Sequence, residues 1–217
     1  MKKAIAVMAT LLVVSVCGFA NTSYNNFNGY SDYWHPLGYP NTATYGETFT
    51  APTNGDDNLT SITLYMGDSY VSGDIWLMGY LATWTGTQAG ILIGNSDPVD
   101  YANTGPTTLY FPVDGITLTP GASYVLFLSI SELYGQSSGQ TYIVPGLDTI
   151  PGGNFVYYNN GGDFNALFNS AWDAPGLKPD WAVDLEFAPS STPEPGTLVL
   201  LGTGLLGGLG AIRRKLL

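Results

Sequence analysis

The sequence predicts an all-β protein: a jelly-roll-like antiparallel β-sandwich, flanked by an N-terminal signal peptide and a C-terminal transmembrane helix. Three observations carry this. Short runs rich in Val, Ile, Tyr, Phe and Thr recur along the middle of the chain, separated by Gly, Pro, Asn and Asp. No window of the middle region keeps a helical period over ten residues, and its glycines and prolines would break one. Two apolar segments lie at the ends, each beside a group of bases.

The first end opens with Lys2 and Lys3, continues through apolar Ala4–Val16, and reaches Gly18-Phe19-Ala20. A basic start, a short apolar run and a small-x-small site describe a secretory signal peptide over residues 1–20, cut after Ala20. The one cysteine, Cys17, falls inside it. The exported chain then holds no disulfide, no thiolate metal site and no cysteine nucleophile, and its stability rests on a packed core.

Residues 21–43 are polar and aromatic without a period, and are expected to form an irregular segment over the body of the domain. The sandwich domain is expected over 44–188. Ile62, Leu64 and Met66 alternate with Ser61, Thr63 and Tyr65, a half-buried strand; Val183, Leu185 and Phe187 alternate with Asp184 and Glu186 in the same way. Ser123–Ile130, "SYVLFLSI", is almost continuously apolar and suits a central strand. "DIWLMGYLATW", "GILIG", "TLYFPV" and "NFVYYN" supply further strands, and Asn54-Gly55 and Asn160-Gly161 mark tight connections.

Charge narrows the range of ligands. Only Lys178 is basic within 21–192, against sixteen acids, a net charge of −15. Nucleic acid is excluded, because phosphate binding needs clustered Lys and Arg. Acidic polymers are repelled unless a divalent cation bridges them. Three of the other five bases, Arg213, Arg214 and Lys215, close the chain behind the apolar, glycine-rich stretch 197–212. As a helix that stretch rises ~24 Å, slightly short of a ~30 Å bilayer core, and snorkelling bases close the gap. The basic tail 213–217, with Arg213, Arg214 and Lys215, is expected to stay cytoplasmic, which places the domain across the membrane. A linker, 189–196, carries Pro193-Glu194-Pro195, whose prolines hold an extended, recognisable segment.

Pro193, Glu194 and Pro195, then an apolar helix, then Arg213, Arg214 and Lys215 resemble the PEP-CTERM sorting signal. The resemblance implies recognition by an exosortase, a membrane-embedded cysteine protease of Gram-negative bacteria. It further implies processing near Pro-Glu-Pro, an inner-membrane intermediate, and delivery to the cell surface or an extracellular, biofilm-type matrix. It is an address and carries no activity. "YGETFTAPTNGDDNLTSITLYM" and "GITLTPGASYVLFLS" resemble, more loosely, the β-sandwich passengers of such tails, which are laid out like carbohydrate-binding jelly rolls. In that layout the strand around Phe49 and the last strand, Ala182–Phe187, lie near one another.

Signals for catalysis are sparse. His35 is the only histidine, beside Trp34 and before Pro36; no G-x-S-x-G sequence, His pair or phosphate loop accompanies it. A polysaccharide lyase needs bases to neutralise a uronate, and Lys178 is alone. Paired carboxylates for a glycosidase are visible only in space, so a secreted glycan-active enzyme stays as the alternative, beside a purely structural matrix component. Two binding constellations remain. Asp56, Asp57 and Asn58 crowd one turn, and with Asp184 could ligate a structural calcium ion; the competing reading is a solvated Asx turn. Tyr30, Tyr33 and Trp34, together with Tyr157 and Tyr158, could stack on sugar faces, and Phe164, Phe168 and Trp172 extend the later cluster. The competing reading is that bulky aromatics, Trp76, Trp84, Trp172 and Trp181 among them, fill the core. The expectation is a non-catalytic exported protein with no cofactor beyond that calcium, contacting neutral extracellular polysaccharide.

Overall fold

The computed structural model describes residues 21–30, 34–40, 42–101, 105–175 and 180–190. The expected signal peptide, Tyr33, the Pro-Glu-Pro motif, the apolar tail and its bases lie outside the described residues. No helix among the described residues is long and apolar enough to cross a membrane.

Among the described residues twelve strands form two antiparallel sheets. They are β1 (Thr22–Asn25), β2 (Trp34–Gly38), β3 (Thr44–Thr50), β4 (Asn58–Val71), β5 (Trp76–Trp84) and β6 (Ala89–Asn95), then β7 (Val99–Asp100), β8 (Thr107–Thr117), β9 (Ser123–Ser129), β10 (Gln140–Ile143), β11 (Phe155–Tyr158) and β12 (Val183–Ala188). The first sheet runs β1-β12-β4-β10-β2, with β8 on the other side of β4. The second runs β11-β3-β9-β5-β6, with β7 also on β5. From β8 onward the chain passes to the opposite sheet at every strand, so sequence neighbours face each other across the core.

Alternation sets the faces. On β12, Val183, Leu185 and Phe187 are buried while Asp184, Glu186 and Ala188 are half-exposed. Ile62, Leu64 and Met66 of β4 meet them from the same sheet, and Tyr45, Phe49, Leu126 and Leu128 come from the other. Phe49 and Phe187 approach to 6.1 Å between ring centroids, so the expected nearness of those two strands is across the core. The nearly continuous apolar run of β9 has a second cause. Val125 and Phe127 point away from the main core, into a smaller one with Tyr80, Ala82, Val156, Leu167 and Trp172. The short 3-10 turn Phe164–Phe168 covers that outer face.

The structure corrects the reading of the N-terminal segment. It supplies two strands: β1 pairs with β12 from Thr22↔Phe187 to Asn25↔Asp184, and β2 pairs with β10. Both are short edge strands; β1 is polar and β2 is interrupted by Pro36, which is why no apolar period announced them. Strands β7 and β10 were likewise not expected; at two and four residues they are shorter than a sequence period can register.

Candidate functional site

The outer face of the first sheet carries the most promising group of side chains. Its backbone is β4, whose odd positions Ser61, Thr63 and Tyr65 turn away from the core. The ladder sets one row across the sheet: Asn25 opposite Asp184, Asp184 opposite Thr63, Thr63 opposite Tyr110. Tyr110 is 61% exposed, the most exposed aromatic among the described residues. Beside this row the chain beyond β1 folds back. Phe27 lies flat on Tyr65, centroids 3.9 Å apart and planes within 6°. Tyr30 meets Phe27 edge-on at 4.9 Å.

The segment that delivers Phe27 and Tyr30 is pinned by Asn26, which is buried. Its Nδ2 donates to the carbonyls of Trp181 and Leu147, both at 3.0 Å, and its Oδ1 accepts from the Val183 N–H at 2.7 Å. Gly29, at φ 96°, lets the chain turn between the two aromatics. Polar groups border the rings. Asp184 accepts from Asn25 Nδ2 at 2.8 Å and from Ser23 Oγ at 3.2 Å. The Tyr65 hydroxyl is held above its ordinary pKa, by burial first and then by the negative charge of Asp184, while Asn25 pulls the other way. Stacking surface and hydrogen-bonding groups therefore share one exposed face. Tyr70 and Tyr142, 5.1 Å apart, form a second aromatic pair on strands of the same sheet.

This face gathers only part of the expected aromatic site. Tyr30 belongs to it. Tyr33 lies outside the described residues, as does the Trp34 side chain. Tyr157 and Tyr158 do not join it: they are half-buried in the second sheet, where adjacent strand residues point to opposite faces. Tyr157 packs against Tyr45 and Phe155 in the main core, and Tyr158 against the smaller core. Phe164, Phe168 and Trp172 belong to that smaller core too. Trp181 and Trp172 are buried, and Trp76 and Trp84 half-buried. Sequence reasoning passed over Phe27, Tyr65 and Tyr110. The signal was present in the alternation of β4, which placed Tyr65 outward.

The expected calcium cluster is not assembled. Asp56 is buried, and its Oδ2 accepts from Thr22 Oγ1 at 2.6 Å and Asn54 Nδ2 at 3.1 Å. The Asp56 N–H donates to Asn54 Oδ1, which closes an Asx turn. Asp57 Oδ1 accepts from the Ser190 N–H at 3.3 Å. Asp184 does not reach this turn. It pairs with Thr63, whereas Asn58 pairs with Ala188; four residues along the strand are roughly 13 Å. Among the described residues no three His, Cys, Asp or Glu side chains are grouped to hold a metal ion.

Two further features have chemical interest. A cavity of about 550 Å³ opens between the sheets, walled by Ile62, Leu64, Phe111, Val113 and Leu126 and rimmed by Asn95, Ser96 and Asp97. Glu47 and Asp180 form a buried acidic pair. The Glu47 carboxyl is pushed well above the usual range, by burial first and then by Asp180, against hydrogen bonds from the backbone of Trp181 and Asn154. Both acids are sealed from solvent, so neither can meet a sugar.

Residues 191–215 match a family model described as the PEP-CTERM protein-sorting motif. The chain carries a PEP-CTERM sorting signal. That signal accounts for the Pro-Glu-Pro, the apolar stretch and the terminal bases together, and it means export through the membrane to the cell surface with exosortase processing at the C terminus. No curated protein matches the chain. Two solved structures are similar over part of it. One holds the cysteine protease and lectin-like domains of Cwp84, a surface layer associated protein of Clostridium difficile. It is 11% identical, with a TM-score of 0.45, covering 69% of this chain and 33% of that one. The other is a point variant of the clostridial cysteine protease Cwp84 after propeptide cleavage, 10% identical with a TM-score of 0.47, covering 78% and 40%. The chain thus spans less than half the length of either.

Proposed function

We propose that this PEP-CTERM protein is a non-catalytic component of the cell surface or extracellular matrix, and that it contacts neutral polysaccharide through the outer face of its first sheet. The observation that carries the reading is the flat stack of Phe27 on Tyr65, with Tyr30 and Tyr110 exposed nearby and the Asn25–Asp184 pair at its border. Sugars offer apolar CH faces to aromatic rings and hydroxyls to carboxylates and amides, and this face supplies both. A net charge of −15 over residues 21–192 disfavours acidic polymers, whereas stacking is indifferent to net charge.

Affinity electrophoresis in gels containing neutral or uronic-acid polysaccharides tests this. The protein should be retarded by at least one neutral polymer, with little dependence on salt. Phe27→Ala with Tyr65→Ala should abolish the retardation, while Tyr39→Ala, at a separate exposed ring, should leave it intact. Retardation by uronic-acid polymers alone, abolished by salt, would sink the stacking reading. Release of reducing ends from any polymer would replace it with the enzymatic one.

A further inference from the structure

Two strands of the second sheet carry a glycine where the core expects a side chain. On β5 the inward row is Leu77, Gly79 and Leu81, and both leucines belong to the main core. On β6, Gly94 pairs with Leu81 and shares its face. A Cβ on Gly79 would meet the Phe111 ring at 3.1 Å, and one on Gly94 would meet Ile116 Cδ1 at 3.5 Å. Both positions therefore point across the sandwich at β8, and all four residues line the cavity of about 550 Å³. Backbone geometry calls for neither glycine, since neither has a positive φ. Gly94 borders the register shift of β6, yet in a conformation open to other residues. Among the described residues, the far end of Ile116 is all that comes within 4 Å of its Cβ position. A glycine inside a strand weakens it, and marks a bulge or the close approach of a backbone or a ligand. No backbone approaches Gly94, and what its missing side chain leaves is room.

That room is apolar. Besides Phe111, its walls include the branched side chains of Ile62, Leu64, Val113 and Leu126. A sugar would leave its hydroxyls unpaired against them. The mouth is polar. Ser96 Oγ accepts from the Gly79 N–H at 2.9 Å and donates to the Asp97 carbonyl at 2.7 Å, which ties the rim to β5. Asn95 Nδ2 donates to the Ser96 carbonyl at 3.1 Å. The mouth then offers the Asn95 Oδ1 and the exposed Asp97 carboxylate, both acceptors. They favour a head group that donates a hydrogen bond and repel one that is negatively charged, as does the net −15 of residues 21–192. Size narrows the occupant further. An apolar cavity of ~150 Å³ holds benzene, so by that scale this one holds roughly twenty carbons, a single chain.

We propose that this cavity binds one aliphatic chain ending in an uncharged hydrogen-bond donor, as in a long-chain alcohol. The chain lies between Gly79 and Gly94 on one wall and Phe111 and Ile116 on the other, with its head at Asn95 and Asp97. The site lies inside the sandwich, goes beyond the polysaccharide reading and does not depend on it.

Photo-labelling of the full chain in phosphatidylcholine nanodiscs tests this. The probe is dodecanol with a diazirine in its chain, and labelled residues are mapped by mass spectrometry. Labelling of the apolar stretch 197–212 serves as the internal reference for probe concentration. We expect labels on the cavity residues of β4, β8 and β9, suppressed by excess plain dodecanol. Gly94→Leu should lower the ratio of cavity to reference labelling about tenfold, because a packed interior admits no second occupant. Gly94→Ala should lower it in part, and decides the point with the competitor should Gly94→Leu not fold. A dodecanoate probe should label the cavity roughly fivefold less than the alcohol, the cost of a like charge beside Asp97. Asp97→Asn should close most of that gap. The proposal is overturned by labels confined to 197–212 or to the exposed Ile91 and Ile93, by cavity labelling that plain dodecanol does not suppress, or by an unchanged ratio in the Gly94 variants. Equal labelling by alcohol and acid overturns the assignment of the head group.

Discussion

Glu47 is an acid on the core side of a central strand, between Tyr45 and Phe49, and fully enclosed. Its Oε2 accepts from the Trp181 N–H at 2.9 Å, and its Oε1 has no hydrogen-bond partner among the described residues. Because its pKa is raised on folding, the folded state binds this proton more tightly than the unfolded chain does. The stability it contributes is complete below the ordinary value of 4.5 and is lost as pH rises through the folded value. The melting temperature should therefore fall as pH rises above about 5. Glu47→Gln keeps the shape, supplies an acceptor for Trp181, and cannot ionise, so its melting curve should be flatter over the same range. An unchanged slope in calorimetric melts of the two proteins would show that Glu47 is not the titrating group. Glu47→Ala should be worse at every pH, by roughly 2–4 kcal/mol, since it leaves a cavity and orphaned N–H groups. The alternation Tyr45-x-Glu47-x-Phe49 put Glu47 on the core face in the sequence. That Asp180 would be its neighbour was not legible, because 133 residues separate them and only the tertiary fold brings them together.

Elements show the same division between local pattern and remote contact. The alternating strands β4 and β12 and the apolar β9 were legible because burial imposes their period. β1 was not: it is short and polar, and beside its ladder with β12 it is held by a contact with a remote turn. Thr22 Oγ1 donates to Asp56 Oδ2, and Asn54 Nδ2 donates to both. Asp56→Ala should strip the acceptor from two donors and cost about 1–3 kcal/mol, with amide exchange rising in β1 before the rest of the first sheet. Equal protection of β1 in hydrogen-exchange mass spectra would refute the anchoring role. The late aromatic cluster is a second instance. Its composition was visible, but whether the rings face sugar or protein depends on the Phe164–Phe168 turn lying over the second sheet. Trp172 is buried there, donates its indole N–H to the Leu167 carbonyl at 2.8 Å, and meets Phe127 and Trp84 edge-on. Trp172→Ala should cost ~3–5 kcal/mol in urea unfolding, against less than about 1 kcal/mol for Tyr110→Ala on the open face. Comparable losses would mean that the two aromatic populations have been wrongly sorted into core and surface.

At the scale of the whole molecule, charge and chain direction act together. Sixteen acids and one base lie in 21–192, while Arg213, Arg214 and Lys215 follow the apolar stretch 197–212. The last strand, β12, lies between β1 and β4, and the Ser190 N–H, just beyond it, donates to Asp57 Oδ1. The sorting segment thus begins at the end of a strand flanked on both sides, and a pull on the tail is taken up by the ladders of β1 and β4. The acidic domain gives a translocating chain no positive stop of its own, because Lys178 is isolated. The expectation for the terminal bases rests on a general rule: a cationic cluster at a cytoplasmic face would resist transfer, and each base would add about 1 kcal/mol of attraction to an anionic leaflet. Replacing Arg213, Arg214 and Lys215 by Gln should therefore release the protein from the membrane fraction or leave it unprocessed, without altering the melting temperature of the sandwich. Replacing Lys178 by Gln should do neither. Fractionation with immunoblotting reads both position and size. Unchanged membrane retention and unchanged mature size in the triple variant would mean that the apolar stretch 197–212 holds the protein without its bases, and that their concentration at the terminus has another cause.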